Sequence, residues 1–180
     1  MKAASSTAPQ TYVRIAWLIS GLLREANLVH PTNIAVLQRG NPGASFHIFL
    51  SVGERSGQGS DRRKSIGHGT VVDMELLRSI YSTGHGAVRL ISADISEPPA
   101  EALSTGVNQL IDVHKARNGT HMPWNERVST EHMRWRWWRV YSLMIAQARR
   151  GHTYDFVFWQ RPDVMLEVPS DMVHSCAWQR

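Results

Sequence analysis

Tyr154-Asp155-Phe156-Val157-Phe158-Trp159-Gln160-Arg161-Pro162-Asp163-Val164-Met165-Leu166 is an apolar run that ends in an Arg-x-Asp tip. Phe156, Val157, Phe158 and Trp159 are contiguous, β-favouring and too few for an ordinary helix, so they predict a strand covered on both faces by helices. Pro162 has no N–H to give to a sheet ladder, and regular pairing is expected to fail from Arg161 to Asp163. That releases a guanidinium and a carboxylate beyond the carboxyl end of a strand, where open α/β sheets collect their ligands. Such a pair suits a metal-bound phosphate. An ion pair closing the strand end is the plainer use of the same two residues.

Outward from this strand the chain alternates strand and helix. Val13 to Ile19 reads as a strand, Ser20-Gly21 as a tight turn, and Leu22 to Leu37 as a helical stretch that Pro31 interrupts. Phe46 to Val52 is a second strand. Gly53 to Thr70 carries Gly53, Gly57, Gly59, Gly67 and Gly69 among Arg55, Arg62, Arg63 and Lys64, and is expected to be a mobile basic loop. Asp73 can cap a helix from Met74 to Thr83 with Leu76, Leu77 and Ile80 as its apolar face, stopped by Gly84. Ala87 to Ser92 is a third strand ending at Ala93-Asp94, and Pro98-Pro99 opens a helix through Lys115. A long helix is expected from Ser129 to Arg150, ended by Gly151. The order predicts an α/β fold: a mainly parallel, Rossmann-like sheet with right-handed crossovers and helices on both faces. Residues 1–11 are small and polar and read as a disordered tail, leaving residues 12–180 as a single domain.

The chain has 180 residues, 42% of them hydrophobic and 19% charged, which is ordinary globular composition. The formal charge is +5, and arginine supplies nearly all of its cations because lysine occurs only at Lys2, Lys64 and Lys115. Arginine suits bidentate phosphate contacts, although net charge by itself does not decide between partners. Cys176 is the only cysteine, which excludes a disulfide within the chain and a cysteine-cluster zinc site. The run Ile15 to Leu23 follows Lys2 and Arg14 and faintly imitates a signal peptide. Arg24-Glu25-Ala26-Asn27 stands where a cleavage site would be, so the run reads as a buried strand and a cytoplasmic location is expected. Nothing approaches the roughly 20 apolar residues of a membrane helix.

Arg134-Trp135-Arg136-Trp137-Trp138-Arg139 has the composition of a nucleic-acid platform, since aromatic faces stack on bases while arginines neutralise phosphates. Met133, Trp137, Val140, Met144 and Ala148 nevertheless recur at helical spacing, which favours packing on a sheet, with Arg134 and Arg136 as cleft residues at the helix start. His114, His121 and His132 match no zinc spacing. Neither phosphate-loop fingerprint occurs, and there is no Gly-x-Ser-x-Gly nucleophile elbow. Gly67-His68-Gly69 and Gly84-His85-Gly86 read as turns. Ser20-Gly21-Leu22-Leu23-Arg24 remains: Gly21 lets a ligand approach the backbone, and Arg24 can reach a phosphate.

Two segments resemble nucleotide-sugar glycosyltransferases of the GT-A fold. Arg14 to Arg24 resembles their opening "I-A-x-x-I-S-G-x-x-R" strand and turn. The helix with Trp135, Trp138 and Arg139, leading into Gly151 to Asp163, is similar to their "Y-D-x-V-x-R-x-R-P-D" ending. The resemblance implies transfer of a sugar from a nucleotide-diphosphate donor to an acceptor hydroxyl. It implies a donor site at Ser20, Gly21, Arg24 and Arg161, with Asp163 as the last acidic residue of an Asp-x-Asp-like motif holding Mn²⁺ or Mg²⁺. Arg161 stands where that motif has its first carboxylate, and Trp159 where the family often has arginine. Asp94 joins the donor site by position only, and no residue is identified as catalytic base. The resemblance also implies a domain incomplete at its C-terminal end, because Arg180 comes soon after the motif. A non-catalytic nucleotide-sugar or phosphate-binding module of the same fold is the first alternative, and a basic nucleic-acid-binding protein the second, although no nucleic-acid partner is expected.

Overall fold

A computed structural model describes residues 13–56, 69–82, 87–99 and 124–166, with side chains from 131 onward in the last segment. The elements are β1 (Arg14–Gly21), α1 (Ala26–Gly40), β2 (Ser45–Val52), α2 (Met74–Tyr81), β3 (Val88–Ile95), α3 (Trp124–Ala148) and β4 (Phe156–Gln160). The four strands form one sheet in the order β3-β2-β1-β4, and every described pairing is parallel. The expected tail, the middle of the basic loop, Gly84 and the 100–115 part of the predicted helix lie outside the described residues, as do His114, His121 and Cys176.

Alternation along β1 and β2 divides the core in two. Ile15, Trp17 and Ile19 of β1 join Phe46, Ile48, Leu50 and Val52 of β2 on one face, under Leu23, Ile34, Leu77, Ile80 and Tyr81. Ala16, Leu18 and Phe49 point the other way and meet Val140 and Met144 of α3. The chain is therefore an α/β fold with helices on both faces of a parallel sheet. The side given to α3 follows from the connections: β1, β2 and β3 succeed one another in one direction with α1 and α2 on one face, and the step to β4 reverses that direction. A crossover of unchanged hand must then run over the opposite face, where α3 packs.

Several boundaries differ from the sequence reading for physical reasons. Ser20 and Gly21 are the last residues of β1, paired with Ser51 and Val52, not a turn. Pro31 lies within α1 without ending it. The helix starts only at Ala26, so Pro31 falls early, where the missing N–H removes a single bond. The basic loop has ordered ends: Arg55 bridges Val71 in antiparallel fashion, and Ser56 N–H donates to the Thr70 carbonyl at 2.9 Å. Asp73 caps α2 as expected, its Oδ1 accepting from Leu76 N–H at 2.8 Å. The third helix begins five residues before Ser129, at Trp124.

The largest correction concerns β4. Among the described residues it pairs only with β1, so it is an edge strand with Phe156 and Val157 more than half exposed, not a strand buried on both faces. The predicted stripe on α3 is rotated as well. Val140 and Met144 are buried, but Trp137 is 41% exposed and packs edge-on against Trp159, ring centroids 4.6 Å apart. The buried line runs instead through Arg136, Val140 and Met144, at i, i+4 and i+8. Met144→Ala is accordingly expected to cost about 2–5 kcal/mol, the range for truncating a buried methionine. Trp137→Ala should cost about 1 kcal/mol, mainly the ring contact with Trp159. Urea unfolding of the two variants checks this order.

His30 lies in the larger core, 2% exposed, between Trp17 at 5.1 Å and Tyr81 at 4.4 Å between ring centroids. Its Nε2 has no protein partner, and burial pulls its pKa down from 6.5 to about 4. The unfolded chain takes up the proton first on acidification. The stability carried by the neutral ring is thus complete above pH 6.5 and lost as pH falls toward 4, about 3 kcal/mol at ~1.36 kcal/mol per unit. His30→Phe is expected to flatten this part of the pH–stability curve, measured by denaturant unfolding between pH 4 and 7.

Candidate functional site

The reversal of strand order at β1 opens a topological switch point between the carboxyl ends of β1 and β4, the crevice in which such sheets bind ligands. The two segments singled out in the sequence meet there. β4 ends at Gln160, and Pro162 folds back over the end of β1. Gly21 makes that approach possible: its φ is +143°, and a Cβ built on it would stand 3.0 Å from Pro162 Cδ. A side chain at position 21 would face both a strained backbone and a clash with a ring.

Beside this contact two guanidinium groups converge on one carboxylate. Arg161 makes a bidentate bond to Asp163, Nε to Oδ1 at 3.1 Å and Nη2 to Oδ2 at 2.9 Å. Arg24 reaches the same Oδ2 through Nη1 at 3.5 Å. The Asp163 side chain is 14% exposed, against 41% for Arg24 and 48% for Arg161. The carboxylate therefore lies under two half-exposed cations, and these three side chains together carry a net positive charge. Arg24 Nε is buried without a protein partner.

The backbone that presents Asp163 is tied down by residues to which the sequence reading assigned no role. Trp17 Nε1–H donates to Gln160 Oε1 at 3.1 Å, and Gln160 Nε2 in turn donates to the Val164 carbonyl. Asn33 of α1, 2% exposed, donates to the same carbonyl at 2.9 Å and accepts from Leu166 N–H at 2.7 Å. The 164–166 segment is in effect stitched to α1 from both sides. A sequence signal existed: Asn33 and Gln160 are amides in otherwise apolar surroundings, and a buried amide needs partners. Asp163 also acts on the interior, since burial, and after it the negative charge of Asp163, pushes the Tyr81 hydroxyl above its ordinary pKa.

The other candidates are placed elsewhere. Ser20 is buried, and its Oγ accepts from Trp159 Nε1–H at 2.9 Å, so it holds the edge strand and does not line the crevice. Trp159 is thus the bridge between β1 and Trp137 of α3. Asp94 ends β3, the opposite edge of the sheet, and three strand spacings of ~4.8 Å put it about 14 Å from β4. It is enclosed by Arg139, at 2.6 and 3.1 Å, by Ser96 at 2.9 Å and by Ser51 at 3.4 Å. Burial would raise its pKa, but the bonds from Arg139 and the two serines outweigh this and hold it below the usual carboxylate value.

The Arg/Trp run is likewise committed to ion pairs. Arg134 pairs with Glu131 at 2.8 Å, Arg136 with Glu97 at 2.7 Å, and Arg139 with Asp94. Arg136 is 3% exposed and also donates to the Ser96 carbonyl at 2.8 Å. Burial lowers its pKa, opposed chiefly by the Glu97 charge. Arg139 also lies over the rings of Trp135 and Trp138, at 5.6 and 5.8 Å. Each arginine of the run is matched to a carboxylate: Arg136 and Arg139 brace α3 against the end of β3, while the Arg134 pair lies within the helix.

Among the described residues a divalent metal at Asp163 finds no fitting ligand set. Both of its oxygens are engaged by guanidinium groups, and among the described residues no three His, Cys, Asp or Glu side chains come together as a ligand set. Among the described residues no helix is long and apolar enough to cross a membrane. Gly21→Ala is expected to destabilise the fold by more than about 1 kcal/mol, because both the positive φ and Pro162 oppose it; its unfolding midpoint in urea checks this. No protein-family model matches this chain, and no curated protein or solved structure matches it either.

Proposed function

We propose that the β1–β4 crevice binds the diphosphate of a nucleotide sugar, and that the protein is a glycosyltransferase-like domain passing the sugar to an acceptor hydroxyl. One observation carries the reading: Arg24 and Arg161, from segments far apart in sequence, bring two guanidinium groups to one point at a topological switch. Planar guanidinium forks match the oxygens of a diphosphate and hold them bidentately. In the transfer, the acceptor oxygen forms a bond to the anomeric carbon as the bond to the diphosphate oxygen breaks. The hydroxyl proton passes to a base, and the charge growing on the leaving nucleoside diphosphate is stabilised by preorganised cations. Arg24 and Arg161 have that role.

The second reading, a binding module without transfer, is favoured by one feature. Asp94 and Asp163, the two aspartates at the carboxyl edge among the described residues, are both held by arginine, which suits neither for proton abstraction. Hydrolysis and transfer assays with a nucleotide sugar separate the two. Binding itself is tested by thermal shift: a uridine or guanosine diphosphate sugar is expected to raise the melting temperature, since a ligand of the native state stabilises it. Arg161→Ala should weaken the affinity roughly 10- to 100-fold, the worth of a charged hydrogen bond. An unchanged affinity would remove Arg161 from the site.

A further inference from the structure

We infer that Asp163 is a built-in competitor for its own site: its carboxylate holds, between Arg24 and Arg161, the place that a diphosphate takes on binding, and binding needs no divalent cation. The inference rests on the diphosphate reading of this crevice and adds to it the role of Asp163. A carboxylate gripped by one arginine through both oxygens and touched by a second presents to them the same two-oxygen edge as a phosphate. It is a weaker partner than a diphosphate, having one charge to offer to two cations. The guanidinium groups stay half-exposed above it, so the fork has capacity that Asp163 does not use.

The alternative, in which Asp163 carries a metal, requires it to leave both arginines and to find further ligands that the described residues do not supply. Displacement by an anion requires less. Val164 and Leu166 are anchored to Asn33 and Gln160, so the backbone can stay while the Asp163 side chain turns away.

The two roles of Asp163 predict effects of opposite sign. Isothermal titration of inorganic pyrophosphate and of uridine diphosphate would be run in EDTA and again with Mn²⁺, on the wild type, Asp163→Asn and Asp163→Ala. Each variant is first checked for a cooperative melt. The expected result is binding in EDTA that Mn²⁺ leaves unchanged, about tenfold tighter in both variants. Weaker binding in the variants, or equal affinity, overturns the competitor role. Wild-type binding that vanishes in EDTA overturns the metal independence without any variant and leaves the diphosphate reading standing. The absence of binding by all three proteins under both conditions overturns the diphosphate reading together with this one.

Discussion

β1 is hydrogen-bonded on both sides, to β2 and to β4, and the change of direction at this strand organises the molecule. Had β4 been added beyond β3, the third connection would have run over the face already occupied by α1 and α2, and no crevice would open. With β4 beside β1, α3 covers the opposite face and the carboxyl ends of two strands distant in sequence become neighbours. Gly21, Pro162, Arg24 and Asp163 share one edge for that reason. A central strand must be apolar on both faces, which is why Ile15 to Ile19 is buried at every residue and reads like a signal-peptide core in the sequence.

The ionic pattern has a simple plan. Arginines meet carboxylates at both ends of the carboxyl edge: Arg24 and Arg161 on Asp163, and Arg139 and Arg136 on Asp94 and Glu97. At the β3 end the match is one to one and much of it is enclosed; Gly53 is bare where Glu97 Oε1 would be 2.6 Å from an added Cβ. At the β4 end two cations share one anion. An exposed ion pair adds little to stability. The imbalance at the β4 end thus contributes little to holding the fold.

Much of the fold was legible because burial enforces periodicity. The apolar run of β2, the Asp73 cap and the Phe156–Gln160 run each left a local signature, and strand–helix alternation pointed to the parallel class. The position of β4 did not show, because a continuous apolar run is compatible with the middle of a sheet and equally with an edge. The face of α3 was misjudged for a related reason: Trp137 is apolar enough to suggest burial, whereas Arg136 is buried by pairing with Glu97, a partner that helical spacing does not reveal. Of the site, Arg24, Arg161 and Asp163 could be picked out as charges at strand ends. The amides Asn33 and Gln160 left a weaker signal, as polar residues next to apolar ones, but their shared partner, the Val164 carbonyl, is one that only tertiary structure brings near.

The contact between Gly21 and Pro162 limits how this edge can change. The ring fills the space of the absent side chain, so a side chain at position 21 would have to displace Pro162 as well as adopt a strained backbone. Arg24 and Arg161, half in solvent and beyond the last ladder bonds, carry no such coupling to the backbone. Shape and charge at the crevice are thereby under separate control. The charges at this edge can be changed by single substitutions, while the shape of the crevice rests on Gly21 and Pro162 together.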